Sequence, residues 1–399
     1  MSEPSISGTS NSGTSKPLRT VHWIGTGLST GRSGLELLLE HGARVVLWGR
    51  TAAKAEQCLA ARGLAGRAGA RAFDTEALAA ALAPGDVLVS MLPAARHPEL
   101  LRLATAHDAH FACSSYVSPE LAELAASASR TVVLTEAGLD PGIDHLMAHR
   151  LVELGRAAAG EAVSTADFTS YCGGLPAELN EFRYRFSWAP LGVLNALRSP
   201  ARYLHDWRLR TASRPWEETT EHPLGGEKFE VYPNRDSLPF AEQYGFPAHW
   251  RKRSFVRGTL RPAGWRAAWS EVFATVESGD EGRIAALAGE LAERHPMRAT
   301  DRDRVVLAVA LELSWADGAW SGSCLLDLRG DERESAMALL VSLPLAYGIT
   351  RILDGALAPG LHRAAESPRE AERWLDFLAS RGIATELRTT ETTTRGALL

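Results

Sequence analysis

The chain has 399 residues, of which 43 are Lys or Arg and 48 are Asp or Glu, giving a formal net charge of −5. Apolar residues make up 45% of the sequence, which is typical of globular proteins and excludes wholesale disorder, collagen and coiled coils. Because basic residues are not in excess, nucleic acid is not expected as a partner. The four cysteines form no CxxC pair and are too few for a disulfide scaffold, which favours a reducing, cytoplasmic location.

Neither end of the chain carries a pattern of regular structure. Residues 1–18 are rich in serine and contain no apolar stretch, which predicts a disordered tail rather than a signal peptide. Residues 389–399 are rich in threonine and are also expected to be loose. The longest apolar stretch, Met337–Ile349, is interrupted by Ser342 and Pro344. It is shorter than the ~20 residues that cross a bilayer, so no membrane association is expected.

Residues 19–145 alternate short apolar runs with runs rich in Ala and Leu, the pattern of βαβ units in a parallel sheet. The first helix is predicted over Gly31–Glu40, with Gly42 as its stop. The predicted strands of this domain are Thr20–Ile24, Val45–Trp48, Asp86–Met91, His110–Ser114 and Thr131–Leu134.

Residues 146–334 differ in composition and predict an α+β substrate domain inserted into the first domain. Residues 335–388 are helical again and are expected to complete the first domain, with Ser367 as N-cap of the last helix. The resulting fold class is α/β: a Rossmann-type parallel sheet with an inserted α+β domain and returning C-terminal helices. Strand candidates in the insert are Asp167–Cys172, Lys228–Val231 and Ser254–Leu260, while Arg302–Trp315 fits a strand or a helix.

A glycine-rich loop follows the first predicted strand. Gly25, Gly27 and Gly31 form GxGxxxG, a spaced variant of the dinucleotide fingerprint, between a strand and a helix. Together with Leu28, Ser29 and Thr30 they are expected to contact the pyrophosphate of a dinucleotide. The alternative is a glycine-rich turn without a ligand.

The end of the second predicted strand indicates which dinucleotide is bound. An NAD enzyme places Asp or Glu there, whereas this chain has Arg50 and Thr51. Arg50 can pair with a 2′-phosphate, and Thr51 can add a hydroxyl. This favours NADP(H), with an exposed surface arginine as the alternative.

Two other chemistries are weaker. Gly27–Gly31 also reads GxSxG, the serine hydrolase elbow, but only one strand precedes Ser29 and the hydrolase sheet needs several. His97, His110 and Cys113 lie close in sequence but lack metal-ligand spacing, so no metal site is predicted.

Polar residues cluster after two further strands, where ligands bind in doubly wound sheets. Tyr116 follows one strand, and Asp140 and Asp144 follow the next. All three are expected near a nicotinamide, with Asp144 the weaker candidate. Asp140 precedes Pro141, so helix capping competes for its carboxylate.

Arginines in aromatic surroundings recur in the second domain. Arg185, Arg235, Arg257 and Arg261 each lie within four residues of an aromatic side chain. Guanidinium groups bind carboxylates bidentately, so several of them predict a substrate with several carboxylates. Structural Arg–Asp pairs are the alternative.

Six segments taken together resemble the saccharopine reductase family, the NADP-dependent, glutamate-forming saccharopine dehydrogenases. A looser similarity extends over roughly residues 20–385. The matching segments are SSYVSP (Ser114–Pro119), GLDPGIDH (Gly138–His145), SYCGGLP (Ser170–Pro176), RFSW (Arg185–Trp188), YPNRDS (Tyr232–Ser237) and RGTLR (Arg257–Arg261).

This resemblance implies reduction of the imine between 2-aminoadipate 6-semialdehyde and glutamate to saccharopine, a tricarboxylic secondary amine, and it suggests a homodimer. By position, Tyr116, Asp140 and Cys172 match the acid–base group. The implied substrate contacts are Ser115, Tyr116, Asp140, Arg185, Trp188, Arg235, Arg257, Gly258 and Thr259. Further cofactor contacts are implied at Leu92, Pro93 and Ser115.

The chain also departs from the family pattern. The loop reads GTGLSTG instead of GSGFVA, and Arg185 replaces a lysine. These departures keep two alternatives open: a related enzyme for another amine–carbonyl pair, such as a carboxylated polyamine or a specialised metabolite, and a non-catalytic NADP-binding protein.

Overall fold

The computed structural model describes residues 19–298 and 300–393, and the expectations for residues 1–18 and 394–399 lie outside this part of the chain. The strands in it are β1 (Thr20–Ile24), β2 (Arg44–Gly49), β3 (Gly69–Ala72), β4 (Val87–Ser90), β5 (His110–Cys113), β6 (Val132–Leu134), β7 (Thr165–Pro176), β8 (Ala201–His205), β9 (Arg208–Ala212), β10 (Thr220–Leu224), β11 (Glu227–Pro233), β12 (Lys252–Pro262), β13 (Asp303–Trp315), β14 (Gly318–Arg329), β15 (Gly360–His362) and β16 (Glu386–Thr393). The helices are α1 (Arg32–Glu40), α2 (Ala52–Ala61), α3 (Thr75–Ala81), α4 (His97–Ala106), α5 (Pro119–Ser127), α6 (Ile143–Ala159), α7 (Pro190–Arg198), α8 (Pro239–Gln243), α9 (Trp265–Ala268), α10 (Ser270–Glu277), α11 (Glu281–Arg294), α12 (Ala336–Leu353) and α13 (Pro368–Ser380).

The first sheet is parallel throughout, in the order β15-β6-β5-β4-β1-β2-β3. Apolar clusters cover both of its faces, as the near-continuous apolar strands predict. The chain reverses its direction of winding between β1 and β4, which makes the carboxyl ends of these strands the switch point where doubly wound sheets bind ligands.

All five strands predicted for this domain are present, and none of their ends differs from the predicted end by more than one residue. The prediction missed β3, whose sequence Gly-Ala-Arg-Ala contains no apolar run because it is a mostly exposed edge strand. The helix predicted over Gly31–Glu40 begins at Arg32, and Ser367 caps α13 by accepting a hydrogen bond from the amide of Glu370.

The second sheet is mixed and follows the order β10-β11-β12-β7-β13-β14-β16, with β8 and β9 attached to β12. The strand β7 lies at its centre, parallel to β12 and antiparallel to β13. The stretch Arg302–Trp315 therefore forms a strand and not a helix. Its alternating burial fits a strand that packs α6 and α12 on one face.

The C-terminal part of the chain returns to the first sheet, as predicted, through α12, α13 and β15. The helix α12 packs on α1, and β15 pairs with β6. The prediction of a loose end from residue 389 is wrong for residues 389–393, and residues 386–388 belong to the second sheet and not to the first domain. Both lie in β16, which pairs antiparallel with β14. Threonine is β-branched and favours strands even on an exposed edge, where a polar sequence reads as a loop.

Two helices connect the domains. Residue 145, the expected end of the first domain, lies inside α6, a helix that packs against α13 and also against β13 and β14. The helix α12 is long and apolar enough to cross a membrane by length and composition alone, but 89% of it is buried inside the protein. It serves here as a core helix.

The close packing of α1 on α12 requires a glycine at position 34, and substitution can test this requirement. A Cβ at Gly34 would lie 2.5 Å from the backbone oxygen of Ser342, whereas one at Gly289 in α11 would meet nothing within 4 Å. We expect Gly34→Ala to destabilise the protein by about 1–3 kcal/mol through overpacking. The matched variant Gly289→Ala should stabilise it by about 0.5–1 kcal/mol through helix propensity. Urea denaturation measures both, and equal effects would contradict the packing described.

Candidate active site

A cavity of about 510 Å³ lies between the two domains at the carboxyl ends of β1, β4, β5 and β6. Charge on its wall comes from Asp140, Arg235 and Arg261. The first domain contributes Ser29, Ala94, Ser114–Ser118 and Leu139–Pro141, and α12 contributes Met337 and Val341. The second domain contributes Cys172–Gly174, Trp188, Ala196, Tyr232, Asn234, Arg235, Thr259 and Arg261.

A hydrogen-bonded cluster forms one wall of this cavity. The Tyr116 hydroxyl donates to Asp140 Oδ1 at 2.5 Å. Behind them, Nη2 of Arg257 lies 3.0 Å from the Tyr116 oxygen, 2.9 Å from Asp140 Oδ1 and 2.5 Å from Asp144 Oδ2. The strand β12 carries Arg257, and the loop after β6 carries Asp140, so the cluster joins the two domains.

Burial controls the protonation of this wall. It raises the pKa of Asp140 above its usual range, and the nearby negative charge of Asp144 raises it further. Burial also raises the pKa values of Tyr116 and Cys172 well above their usual values. The phenol and the thiol are therefore neutral at physiological pH, which leaves Asp140 as the cavity group most suited to exchange a proton.

Two arginines of the cavity wall lack a carboxylate partner among the described residues. Arg235 lies over the Tyr116 ring, with its Cζ 4.9 Å from the ring centroid, and has a left-handed φ of 59°. The neighbouring Asp236 pairs with Arg202 at 2.9 Å and not with Arg235. Because Arg235 pairs with no carboxylate among the described residues, the structural-pair alternative does not apply to it.

The second such arginine is Arg261. It belongs to the RGTLR segment but is not one of the substrate contacts that the resemblance implies. It is only 5% exposed, its Nε has no hydrogen-bond partner, and its guanidinium lies 5.0 Å from the Tyr184 ring. Tyr232 and Trp265 surround it at 5.9 and 5.5 Å. A buried cation without a counter-ion is costly, so this position suits an anionic ligand. The alternation of side chains along a strand could have predicted this position for Arg261, because residues 257, 259 and 261 lie on the same face of β12.

Three expected substrate contacts lie outside the cavity wall. Arg185 pairs with Asp301 at 3.2 Å, which is the structural alternative. Arg257 is buried behind Tyr116, where its Nη2 pairs with Asp140 and Asp144, and it does not line the cavity. Gly258 allows close strand packing, since a Cβ there would lie 2.5 Å from the Tyr232 oxygen. Ser115, Trp188 and Thr259 do line the cavity.

The glycine-rich loop divides into an outward and an inward part. Gly27 and Leu28 are exposed, Ser29 lines the cavity, and a Cβ at Gly27 would meet nothing within 4 Å, which leaves room for a pyrophosphate. Gly25 adopts a φ of 124°, which only glycine adopts readily. The Thr30 side chain points inward, since it is fully buried and its hydroxyl donates to the Gly25 backbone oxygen at 2.9 Å, and its expected contact with the cofactor stays a prediction.

The N-terminus of α1 is hydrogen-bonded to Glu334, which lies 301 residues after Ser33 in the sequence. Glu334 accepts hydrogen bonds from the Ser33 amide at 3.2 Å and from the Ser33 hydroxyl at 2.5 Å. A Cβ at Gly31 would lie 2.2 Å from its Oε1. Gly31 is therefore needed for close packing against Glu334 and Ser342, and its contact with a pyrophosphate stays a prediction.

The remaining expected cofactor contacts occupy different positions. Arg50 is exposed directly after β2, whereas the Thr51 hydroxyl caps α2 by accepting from the Lys54 amide. Leu92 and Pro93 precede the cavity residue Ala94 and are not part of the wall.

Ser115 is oriented by a buried relay. Nε2 of His97 lies 3.0 Å from the Ser115 hydroxyl, and its Nδ1 lies 3.0 Å from the Ser90 hydroxyl. Burial lowers the pKa of His97 to about 4, so the ring is neutral and one nitrogen donates while the other accepts. The relay fixes the direction in which Ser115 presents its hydroxyl to the cavity.

Comparison with known proteins now places the chain. The family described as saccharopine dehydrogenase NADP binding domain matches residues 21–134, and the saccharopine dehydrogenase C-terminal domain matches residues 138–383. The chain belongs to the saccharopine dehydrogenase family. This confirms the resemblance drawn from the motifs, and the first match confirms NADP(H) as the cofactor.

Individual family members agree with this assignment. A saccharopine dehydrogenase [NADP(+), L-glutamate-forming] of Pyricularia oryzae is 36% identical over 62% of this chain, and the aligned part is 55% of that protein's length. The protein of that name from Saccharomyces cerevisiae is 31% identical over 72% of this chain and 81% of its own length. The solved apo structure from that yeast matches 93% of this chain and all of its own, with 27% identity and a TM-score of 0.77.

The hydrolase alternative finds no support within this family fold. Among the described residues no histidine forms a hydrogen bond with the Ser29 hydroxyl. His97 bonds to the Ser115 hydroxyl instead. A serine nucleophile needs an adjacent base.

Arg50 gives the cofactor assignment a direct test. We expect Arg50→Ala to weaken NADPH binding at least roughly tenfold, because a charge-assisted hydrogen bond to the 2′-phosphate contributes about 1.5–3 kcal/mol. NADH binding should not change. Arg44→Ala, at the opposite end of β2, is the matched control. Fluorescence titration measures all four affinities, and equal losses for both coenzymes would exclude the 2′-phosphate contact.

Proposed function

We propose that this protein is an NADP(H)-dependent oxidoreductase that reduces the imine of 2-aminoadipate 6-semialdehyde and glutamate to saccharopine, or catalyses the reverse. The observation that carries the proposal is one cavity that combines two arginines free of carboxylates with a partly buried Tyr116–Asp140 pair. This cavity lies at the carboxyl ends of the strands of the first sheet, and Ser29 of the glycine-rich loop lines it.

The charges of the cavity support a substrate with several carboxylates. Saccharopine carries three carboxylates around one secondary amine. Arg235 and Arg261 are two separate cations for carboxylates, and Asp140 is one anion for the amine. The aromatic rings around Arg261 exclude water and strengthen its pairing with an anion.

The chemistry of imine formation and reduction requires proton transfers at the reacting nitrogen. Asp140 stabilises a protonated imine and accepts or returns its proton, while Tyr116 donates a hydrogen bond that orients the carboxylate. NADPH supplies the hydride when it is bound. Cys172 is buried, with its thiol neutral, and contributes shape and a weak donor rather than a thiolate nucleophile.

The same charges weigh against the two rivals. A carboxylated polyamine is mostly cationic, and a cavity wall with two arginines and one aspartate disfavours it. A non-catalytic NADP-binding protein would not need a buried acid–base pair. A homodimer, a cytoplasmic location and independence from nucleic acids and membranes remain predictions.

The test is oxidation of saccharopine by the purified protein with NADP⁺, followed by the absorbance of NADPH. A carboxylated polyamine serves as the competing substrate, and NAD⁺ as the competing coenzyme. Preference for the polyamine would replace the proposed substrate, and tight NADPH binding without any turnover would support the non-catalytic rival.

Substitution of Arg261 tests the carboxylate assignment. We expect Arg261→Gln to raise the KM for saccharopine at least roughly tenfold, because one charge-assisted pair is lost. The KM for NADP⁺ should stay unchanged. Arg185→Gln, which alters an arginine outside the cavity, is the matched control. An unchanged KM in the folded Arg261 variant would remove this residue from the site.

A further inference from the structure

Asp144 is fully buried, does not line the cavity and has no part in the chemistry described so far. Its carboxylate is surrounded by donors. Oδ1 accepts from the Gly142 amide at 2.7 Å, and Oδ2 accepts from Arg257 at 2.5 Å and from the Tyr244 hydroxyl at 3.4 Å. Burial raises the pKa of Asp144, and the charge of Arg257 and the Gly142 amide lower it. Since each of the groups around the carboxylate donates, the arrangement fits an ionised carboxylate.

Asp140 differs in this respect. Its Oδ1 accepts from Tyr116 and Arg257, and its side chain is 18% exposed at the cavity. One guanidinium thus faces two carboxylates, of which only one touches the cavity. Two ionised carboxylates and one arginine leave an excess negative charge in a low-dielectric site.

We propose that Asp144 is a positioning residue that neutralises Arg257 with a fixed negative charge, so that Asp140 stays able to exchange a proton with the substrate nitrogen. The proposal rests on the proposed function, since it assigns Asp140 to that exchange.

The physical argument is a balance of charges. If Asp144 were absent, Arg257 would pair with Asp140 alone, and an adjacent arginine lowers the pKa of an aspartate by about 1–3 units. Such a carboxylate would hold no proton near neutral pH. With Asp144 present, Arg257 and Asp144 cancel, and burial keeps the pKa of Asp140 raised.

The other titratable groups around Asp140 and Arg257 do not supply the negative charge that Asp144 provides. Nε2 of His145 lies 3.4 Å from Asp144, but burial lowers the pKa of His145 to about 3, so the ring is neutral. Its Nδ1 accepts from Gln243, which also donates to Glu136.

Neutral groups and one cation complete the surroundings. Tyr244 and Cys172 are neutral because burial raises their pKa values. Arg235 lies over the Tyr116 ring, with its Cζ 4.9 Å from the ring centroid, and is exposed, so solvent screens its charge.

The test measures the titration of Asp140 in three variants. The carboxyl carbon of isotope-labelled aspartate is followed by NMR without substrate, and its signal is assigned by its loss in Asp140→Asn. We expect Asp144→Asn to lower the apparent pKa by about one unit or more, and Arg257→Gln to raise it. The double variant Asp144→Asn/Arg257→Gln should return it towards the wild-type value.

The pH profile of kcat/KM for saccharopine should move in the same directions. The matched control is Asp86→Asn, which alters a buried aspartate at the amino end of β4, away from the carboxyl ends where the cavity lies, and it should leave the Asp140 titration unchanged. Should Asp144→Asn not fold, Arg257→Gln and the double variant still decide the matter.

Shifts of the same sign in both single variants, or no shift in either, would overturn the charge-balancing role. The NMR titration requires no substrate, so it retains its meaning if saccharopine proves to be the wrong substrate. Absence of saccharopine turnover with the expected titration shifts would refute the proposed function alone.

Discussion

The ion cluster of Arg257, Asp140 and Asp144 is the interaction on which the site depends. Arg257 comes from the central part of the second sheet, Asp140 comes from the segment that links β6 to α6, and Asp144 comes from the first turn of α6. Burying three charges is unfavourable unless their geometry satisfies them. The cluster thus fixes the relative position of the domains at the point where the chemistry takes place.

Arginines in this protein fall into two groups that the sequence does not distinguish. Arg185 and Arg257 are neutralised by carboxylates of the chain itself, whereas Arg235 and Arg261 face the cavity with aromatic neighbours. The difference arises from long-range packing. For instance, Asp301 reaches Arg185 from more than a hundred residues away in sequence.

Local patterns were sufficient for much of the fold. Apolar runs located the strands of the first sheet, because buried parallel strands are apolar on both faces. They failed for β3 and β16, which are exposed edge strands with polar or small residues. The placement of Tyr116 and Asp140 near one site was predicted from polar residues at strand ends, and that of Cys172 from the family resemblance. The inward orientation of Thr30 and the roles of Glu334 and His97 did not, because each depends on a contact that only the folded chain creates.

The contact between Glu334 and Ser33 has a mechanical consequence. Glu334 lies in the short connection between β14 and α12, where the chain leaves the second sheet and re-enters the first domain. A displacement of this connection would therefore break these hydrogen bonds or shift the start of α1. Glu334 in this way ties the exit of the chain from the second sheet to the helix that follows the glycine-rich loop.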